Sequence, residues 1–365
     1  MKIAIIHYWL VGMRGGEKVV EALCELFPQA DIFTHVYTSD AVSEMIKNHK
    51  ITTSFIQKLP KASQKYQTYL PLMPLALEQL DLRGYDLVIS SESGPAKGVI
   101  VSPSTPHICY CHTPMRYVWD MYHDYLENAG RITRLLMPPL IHYLRLWDLA
   151  SASRVDHFVA NSTFVAKRIK KHYRRDAVVI NPPVSADDFF ISEQTDDFYL
   201  MVGQLVRYKR ADLAVEAFNL SGRRLIIIGD GEQLEDLKRM AAHNVTAMGR
   251  QPFSVIREHY SKCKALIFPG VEDFGIVPLE AMASGRPVIA YRKGGALETV
   301  VEGVTGLFFD QQTPEALNEA VTAFESMHET FDAHVIRNHA LCFDKEAFKR
   351  KFMDYVDSVL KGEQA

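Results

Sequence analysis

The chain has 365 residues, of which 47% are apolar, and its formal net charge is −3 at neutral pH. This length and apolar content suffice for two separate hydrophobic cores and favour a two-domain protein. The acidic balance, without a helix-turn-helix, zinc-finger or RNP-like pattern, argues against nucleic acid as a partner.

The cysteines and the N-terminus indicate the cellular compartment. The five cysteines are odd in number and scattered, with no CxxC pair; they are Cys24, Cys109, Cys111, Cys263 and Cys342. We therefore expect reduced thiols in the cytoplasm and no metal bound by them. The first ten residues, MKIAIIHYWL, lack the cleavage site of a signal peptide and predict a buried strand.

Short apolar strands alternate with amphipathic helices along the whole chain, the pattern of parallel α/β sheets. In the first half the predicted strands are 2–8, 31–37, 51–56, 86–91, 107–111, 157–160 and 177–181. In the second half they are 198–203, 224–228, 245–248, 265–268, 287–290 and 306–309.

The double proline of NPPV, at 181–184, cannot continue a helix and suits an extended hinge. We therefore predict an N-terminal domain at 1–182 and a C-terminal domain at 183–343. The remaining 344–365 is predicted to be a helix that either crosses back onto the first domain or caps the second.

A glycine-rich turn follows the first predicted strand. In VGMRGGEKVVEAL, Gly12, Gly15 and Gly16 precede a helix predicted to begin near Glu17. Glycines allow backbone to approach a phosphate or sugar closely, and a helix N-terminus favours negative charge. The spacing is not GxGxxG, and no acid follows at the distance of a ribose partner, which disfavours a nicotinamide dehydrogenase.

The segment YCHTPMRYVWDMYHDY, at 110–125, is the most distinctive part of the first half. Its proline ends a strand sharply, so His112 should project from the carboxyl edge of the sheet, although a histidine beside an apolar strand is more often structural. Aromatic faces stack on sugar rings, and carboxylates accept bonds from hydroxyls. The candidate acceptor or sugar contacts are Arg116, Tyr117, Trp119 and Asp120.

A basic surface is expected on the first half, because residues 1–190 hold 21 Lys and Arg against 18 Asp and Glu, whereas residues 191–365 hold 20 against 26. The basic residues cluster in KRIKKHYRR (167–175), at Lys58, Lys61 and Lys65, and at Arg131, Arg134 and Arg145. These basic clusters are either solvated helix faces or a surface that attracts anionic lipid, and both interpretations remain open.

The amphipathic stretch RITRLLMPPLIHYLRLWDLASASR is interrupted by Pro138, Pro139, His142 and Arg145. It falls short of the roughly 18 uninterrupted apolar residues of a membrane-spanning helix. We expect it to pack within the domain or to touch the cytoplasmic leaflet from outside.

In the second half, GVEDFGIVPLEAMASGRPVIA follows the predicted strand in KALIFP. Pro278 suits the first position of a helix, which leaves the amides of Gly275, Ile276 and Val277 unpaired at its N-terminus. Such a terminus binds anions. Glu272 stands in the loop and Glu280 in the first helical turn, and either could instead be an ordinary loop or helix-dipole acid.

This segment resembles the signature of the retaining family 4 glycosyltransferases. That family has the GT-B fold, in which two doubly wound Rossmann-like domains face each other across a cleft. The resemblance implies that Glu272 holds hydroxyls of the transferred sugar and that Glu280 holds the nucleotide ribose. It also implies that the backbone of Phe274, Gly275, Ile276 and Val277 holds the diphosphate.

The resemblance extends to further parts of the chain. In MVGQLVRYKRADLAVEAF, Lys209 matches the family lysine that binds the diphosphate, whereas the neutral Gln204 replaces the family arginine, so Arg207 or Arg210 should take over its role. The resemblance also implies that His112 lines the site of the transferred sugar. The remaining implied donor contacts are Gly15, Gly16, Gly229, Gly249 and Arg250.

The run HTPMRYVWD resembles a subgroup that includes mannosyltransferases of bacterial O-antigen and exopolysaccharide assembly. This implies GDP-mannose as donor, a glycan or lipid-linked glycan as acceptor, and work at the inner face of the cytoplasmic membrane. A UDP-sugar donor, a nucleotide-sugar epimerase, a sugar phosphorylase and a non-catalytic sugar-binding module remain alternatives.

The family resemblance also implies a mechanism. Same-face attack with retention is expected, with the leaving diphosphate accepting the acceptor's proton and Lys209 and nearby amides stabilising its charge. His112, Glu272 and Lys209 are the expected catalytic residues. No metal is expected, because no DxD motif stands at a strand end.

Overall fold

A computed structural model describes residues 1–127 and 129–362. The chain divides into two compact units. The N-terminal unit consists of Met1–Pro183 and of the chain from Phe348 onward, and the C-terminal unit is Val184–Ala347.

The N-terminal unit contains a seven-stranded sheet of order β3-β2-β1-β4-β5-β6-β7, and every neighbouring pair is parallel. Its strands are β1 (Ile3–His7), β2 (Asp31–Thr34), β3 (Ile51–Thr53), β4 (Leu87–Glu92), β5 (His107–Cys111), β6 (His157–Ala160) and β7 (Ala177–Val179). The central strands β1, β4 and β5 are buried along their whole length, as expected when helices cover both faces of a parallel sheet.

The C-terminal unit contains a six-stranded parallel sheet of order β10-β9-β8-β11-β12-β13. Its strands are β8 (Tyr199–Val202), β9 (Leu225–Ile228), β10 (Val245–Gly249), β11 (Leu266–Phe268), β12 (Val288–Tyr291) and β13 (Gly306–Phe309). The predicted strands of both halves are confirmed, with ends that differ by at most a few residues.

Helices connect the strands of both units. The N-terminal unit has α1 (Gly15–Leu26), α2 (Glu44–Lys47), α3 (Ala62–Lys65), α4 (Met73–Glu78), α5 (Tyr122–Glu127), α6 (Arg131–Ala152) and α7 (Thr163–Tyr173). The C-terminal unit has α8 (Ala211–Ser221), α9 (Leu234–Met240), α10 (Phe253–Lys262), α11 (Ile276–Ala283), α12 (Ala296–Thr299), α13 (Pro314–Met327) and α14 (Ala333–Leu341). The last helix, α15 (Lys345–Gly362), begins at the end of the C-terminal unit.

Most of α15 belongs to the core of the N-terminal unit. Its apolar side chains at 348, 352, 356 and 359 are buried in the same cluster as the side chains of β1 and α1. The ring of Tyr110 on β5 meets the ring of Phe348 edge to face, with centroids 5.7 Å apart. Lys349 also pairs with Glu25 of α1 at 3.1 Å.

Each sheet reverses its strand order once. In the N-terminal unit the reversal falls between β1 and β4, and in the C-terminal unit it falls between β8 and β11. Loops that follow the two strands at such a point turn toward opposite faces of the sheet and leave a crevice at its carboxyl edge, where α/β proteins bind ligands. The two reversals are therefore the places to look for a site.

Two helices begin earlier than predicted. The helix α1 begins at Gly15 rather than near Glu17, because the Glu17 carboxylate accepts the N–H of Arg14 at 3.0 Å and caps the first turn. Gly275 adopts φ 94° and starts α11 at Ile276. Pro278 is therefore its third residue rather than its first, and Glu280 lies beyond the first turn.

The cysteines are free thiols, of which only Cys342 is exposed. Cys109 and Cys111 of β5 are buried in one apolar cluster with residues of β6 and α7. Within the described ranges 1–127 and 129–362, no group of three His, Cys, Asp or Glu side chains has a metal-binding arrangement.

Candidate functional site

Lys209 and Glu272 meet at the strand reversal of the C-terminal unit. Lys209 ends a short helical turn after β8, and its ammonium lies 2.9 Å from the Glu272 carboxylate in the loop after β11. A side chain at Gly270 would meet the Lys209 backbone at 2.6 Å. The two loops therefore pack directly on each other, and a partly exposed ion pair results.

Glu280 lies close enough to this ion pair for both of its charges to act on the Glu280 carboxyl group. Its carboxylate accepts a hydrogen bond of 2.9 Å from the hydroxyl of Tyr260, a fully buried residue of α10. Burial raises the pKa of Glu280 to about 7, against the opposing effects of the Tyr260 hydroxyl and the Lys209 charge. Near neutral pH this carboxyl group can therefore both donate and accept hydrogen bonds.

The loop of Glu272 is held from behind by a glycine pair after β12. The N–H of Gly295 donates to the carbonyl of Glu272 at 2.9 Å, and a Cβ atom on Gly295 would lie 2.2 Å from the Cα of Phe274. Gly294 adopts φ +73° and its Cβ would meet the Glu272 carbonyl at 2.5 Å. Both positions therefore require glycine. This pair was not predicted from the sequence, although the letters KGGALE after a strand are a visible turn signal.

Three glycines lie side by side where β8, β9 and β10 end. The N–H of Gly203 donates to Ile228, and the N–H of Gly229 donates to Gly249, each at 3.0 Å. A Cβ atom on Gly229 would lie 1.8 Å from the carbonyl oxygen of Gly203. At these three positions the carboxyl edge beside Lys209 consists of backbone without side chains. The neighbouring Arg250 is exposed.

The two candidate arginines differ in their partners. Arg210 donates to the Asp212 carboxylate at 3.1 to 3.2 Å. Arg207 is exposed and has no ion-pair partner within the described part of the chain, and Gln204 is exposed as well. Arg207 is therefore the guanidinium group that remains available to an anion near Lys209.

At the carboxyl edge of the N-terminal sheet, His112 follows β5 and contacts Ser91 on the neighbouring strand β4, which borders the strand reversal. The ring Nε2 of His112 lies 2.8 Å from the hydroxyl oxygen of Ser91 on β4, and its backbone N–H donates to Glu92 at 2.8 Å. Burial, with a contribution from His7, lowers the pKa of the His112 imidazole to about 3. A neutral imidazole therefore stands at the carboxyl edge of this sheet.

The glycine-rich turn lies at the same edge. Gly15 is the first residue of α1, and a Cβ atom on Gly16 would lie 2.6 Å from the hydroxyl of Tyr8. Any other residue at position 16 would displace the Tyr8 ring from its buried position.

The polar groups of three candidate acceptor contacts bind neighbours within their own unit. The indole N–H of Trp119 donates to the buried Asp148 at 2.7 Å, and the Tyr117 hydroxyl donates to the sulfur of Met115 at 2.9 Å. Asp120 pairs with Arg168 and lies 3.2 Å from His172. The fourth, Arg116, is half-buried, and its carbonyl accepts the N–H of Met121. The first three support the loop after β5, and an acceptor role for any of the four stays a prediction.

A buried ionic cluster that the motif analysis missed organises the loop after β4. The Lys97 ammonium pairs with Asp148 of α6 and with Glu92 at 3.3 Å, and all three side chains are fully buried. The other Glu92 oxygen accepts the N–H groups of Ala96 and Lys97 at 2.7 and 2.8 Å. Spacing in the sequence gave no signal for it, because Asp148 lies on α6, 51 positions after Lys97.

Two family models match the chain. Residues 13–188 match the model described as Glycosyltransferase Family 4, and residues 186–339 match the model described as Glycosyl transferases group 1. Together they span both units except the ends of the chain.

Curated relatives match at low identity over part of their length. An alpha-1,3/1,6-mannosyltransferase of Dictyostelium discoideum is 28% identical over 249 residues, 54% of this chain and 56% of the relative. A GDP-mannose-dependent alpha-(1-6)-phosphatidylinositol monomannoside mannosyltransferase of Mycolicibacterium smegmatis is 36% identical over 138 residues, 33% of this chain and 36% of the relative. The matched part thus spans about half of the first relative and less of the second.

Solved structures match over nearly the whole chain. The sucrose-phosphate synthase of Thermosynechococcus elongatus has a TM-score of 0.72 at 17% identity, over 99% of this chain and 100% of that one. Anabaena HepE in complex with UDP has a TM-score of 0.70 at 16% identity, over 98% and 100%. These likenesses confirm the predicted fold class: the chain has two parallel-sheet Rossmann-like domains of the GT-B type, of which the first matches the Glycosyltransferase Family 4 model and the second the Glycosyl transferases group 1 model.

Proposed function

We propose that this protein is a retaining glycosyltransferase that moves mannose from GDP-mannose onto a lipid-linked glycan intermediate of the bacterial cell surface. The observation that carries the proposal is the Lys209–Glu272 ion pair at the strand reversal, with the Glu280 carboxyl group beside it. A cation and two carboxyl groups in different environments suit a ligand that has both a diphosphate and hydroxyl groups.

In this proposal the ion pair has two tasks. An ammonium group has three donors, so Lys209 can hold Glu272 and a phosphate oxygen at the same time. Glu272 then accepts hydrogen bonds from hydroxyl groups of the transferred sugar, while Glu280 binds the ribose.

Charge that develops on the leaving diphosphate is stabilised by Lys209, Arg207 and the first amides of α11. The leaving phosphate oxygen accepts the proton of the acceptor hydroxyl as that hydroxyl attacks from the same face of the sugar. These groups supply positive charge that a metal ion supplies in other transferases.

The choice of GDP-mannose rests on the relatives, of which one is named as GDP-mannose-dependent and another as a mannosyltransferase. The test is a comparison of GDP-mannose, UDP-glucose and ADP-glucose by thermal shift and by transfer to a lipid-linked acceptor. A mismatched buried hydrogen-bonding group costs about 1 to 3 kcal/mol, so we expect at least about a fivefold preference for GDP-mannose.

If a UDP-sugar binds more tightly than GDP-mannose and is also transferred faster, the assignment of GDP-mannose as donor is wrong, whereas the assignment as a glycosyltransferase stands. Conversion of a nucleotide sugar without any acceptor would favour an epimerase instead.

The proposal includes a peripheral contact of the N-terminal unit with an anionic membrane. The helix α6 exposes apolar side chains with helical spacing on one face, namely Ile132, Leu135, Leu136, Tyr143 and Leu146. Leu135 is 77% exposed and Leu146 is 57% exposed. Basic residues exposed on α7 and after it, Lys167, Lys171 and Arg174, add positive charge to the same unit. In the ranges 1–127 and 129–362, no helix has both the length and the apolarity to cross a bilayer.

Sedimentation with phosphatidylglycerol-containing vesicles tests this contact. Replacing Leu135 and Leu136 by Gln should lower the bound fraction several-fold, because the apolar face would no longer enter the interface. The control is Leu220→Gln on α8, which removes a leucine that is 71% exposed on the other unit. Equal binding of all three proteins would contradict the contact.

A further inference from the structure

Four polar residues of the N-terminal unit form a chain that ends at His112. The hydroxyl oxygen of Ser91 lies between two imidazole rings, 3.1 Å from Nδ1 of His7 and 2.8 Å from Nε2 of His112. On its other side His7 faces Glu17 of α1, with Nε2 4.0 Å from the carboxylate oxygen. His7, Ser91 and Glu17 are buried, so water does not compete for these contacts.

The charge of Glu17 sets the direction in which the hydrogen bonds of this series of side chains are donated. Although burial opposes it, the neighbouring His7 and hydrogen bonds from the backbone N–H groups of Glu17 and Arg14 lower the pKa of the Glu17 carboxyl group below its ordinary value, so an anion faces His7. The Nε2 atom of His7 has no hydrogen-bond partner within the described chain and is buried. A neutral His7 therefore places its proton on Nε2, toward the anion, because a lone pair there would face a carboxylate in a region of low dielectric constant.

The proton positions then follow along the chain. With its proton on Nε2, His7 offers Nδ1 as an acceptor, and the Ser91 hydroxyl donates to it. The single Ser91 proton is then used, so the Ser91 oxygen can only accept from Nε2–H of His112. The remaining ring nitrogen, Nδ1 of His112, carries a lone pair and has no hydrogen-bond partner in the described structure. His112 itself is only half-buried.

We propose that Glu17, His7 and Ser91 are positioning residues that fix the tautomer of His112, so that its Nδ1 atom accepts a hydrogen bond from a hydroxyl group of the bound sugar. The sugar in this statement rests on the proposed function, whereas the tautomer is a property of the protein alone. A failure of either part can therefore be recognised separately.

The tautomer is tested by nuclear magnetic resonance of the full-length protein labelled with 15N-histidine, without ligand. Protonated and unprotonated ring nitrogens have distinct 15N shifts, and His112→Asn and His7→Asn variants assign the two rings. We expect a protonated Nε2 and an unprotonated Nδ1 for His112. A protonated Nδ1 would overturn the proposal.

Two variants test the direction of the chain. In Glu17→Gln the amide oxygen can still accept the N–H of Arg14, whereas the amide N–H can donate to His7, which should populate the opposite tautomer of His112. In Ser91→Ala the chain is broken, and His112 should become a mixture of tautomers. Unchanged His112 shifts in both folded variants would overturn the proposal.

The adjacent residue supplies a matched control. The buried Ser90 hydroxyl lies 2.9 Å from Nε2 of His107, so Ser90→Ala removes the same kind of bond one position away on β4. Ser90→Ala should leave the 15N shifts of His112 unchanged. Its free energy of unfolding shows how much stability is lost when one buried serine–histidine hydrogen bond is removed. If Glu17→Gln fails to fold, the comparison of Ser91→Ala with Ser90→Ala decides.

A transfer assay tests the role of the tautomer. Loss of one hydrogen bond to the sugar should lower kcat about fivefold in Glu17→Gln, which populates the opposite tautomer, and about twofold in Ser91→Ala, in which the competent tautomer is partly populated, whereas kcat should be unchanged in Ser90→Ala. Equal kcat in Ser91→Ala and Ser90→Ala would overturn the contact with sugar even if the tautomer is confirmed.

Discussion

At the residue scale, Glu280 has an environment unlike that of a surface carboxylate. Its partner Tyr260 is fully buried, and the charges of Lys209, Asp188 and Glu272 also act on Glu280. An ordinary glutamate has a pKa of about 4.3, whereas burial raises that of Glu280 to about 7. The folded protein therefore binds a proton over a pH range in which the unfolded chain does not.

We predict that this proton makes part of the folding stability depend on pH. A carboxyl group whose pKa is raised by folding favours the folded state at low pH, and this contribution falls as pH rises from about 4.3 to about 7. Glu280→Gln lacks the titration. The free energy of unfolding of the native protein, relative to this variant, should therefore fall by about 1 to 3 kcal/mol between pH 5 and pH 8.

Urea unfolding of both proteins at several pH values measures this difference, in which the other carboxyl groups cancel. A difference that stays constant from pH 5 to pH 8 would contradict the raised pKa of Glu280.

The sequence located Glu272 and Glu280 because a local pattern fixes their places after a strand and on the next helix. It could not identify Tyr260, which lies 20 positions before Glu280 on another helix and reaches it only through packing. The same holds for Ser91 on β4, because His7 ends β1 and His112 follows β5, and these two strands flank β4 although the residues are 84 and 21 positions from Ser91 in the chain.

At the element scale, the loop after β11 depends on the loop after β12. Gly295 has φ −67°, which any residue can adopt, so its requirement for glycine is purely steric. The backbone of Phe274 fills the space where a side chain would stand. The conformation of the Glu272 loop is therefore set by an element that follows it in the chain.

We predict that Gly295→Ala displaces this loop and lowers the free energy of unfolding by about 2 to 3 kcal/mol, because backbone cannot give way as a flexible side chain can. Gly130→Ala is the control. Gly130 also stands just before a helix with negative φ, at −62°, and a Cβ atom there would meet nothing within 4 Å. Denaturant unfolding should show a clear loss for the first variant and little change for the second; equal losses would argue against the steric account.

At the scale of the whole molecule, most of the last described helix, α15, belongs to the N-terminal unit. Phe352 of α15 is fully buried in the N-terminal core and packs against Phe348 and the ring of Tyr110. The alternation of strands and helices predicted both parallel sheets. The pattern of an amphipathic helix shows that one face is buried but not which surface buries it. The sequence therefore could not decide whether α15 packs on the first domain or on the second.

We predict that Phe352→Ala destabilises the N-terminal unit by about 3 to 5 kcal/mol, the usual cost of removing a buried phenylalanine. Hydrogen exchange of backbone amides measures this locally. Exchange should accelerate in β1 and β5 and stay unchanged in β8 and β12. Lys351→Ala, on the exposed face of the same helix, should change neither; faster exchange confined to the C-terminal unit would contradict the assignment of α15.

The central claim is that the carboxyl edge of the C-terminal sheet binds a nucleotide sugar, with Glu280 at the ribose and Glu272 at the transferred sugar. GDP contains the ribose but not the sugar. Isothermal titration with GDP therefore separates the two carboxyl groups, and a transfer assay with GDP-mannose completes the comparison. Glu258→Gln, on the exposed face of α10, is the control.

We predict that Glu280→Gln weakens GDP binding about tenfold, whereas Glu272→Gln keeps the Kd for GDP within about twofold and lowers kcat at least tenfold. The control variant should match the native protein in both measurements. Equal loss of GDP binding in the Glu272 and Glu280 variants, or no loss in either, would contradict the account.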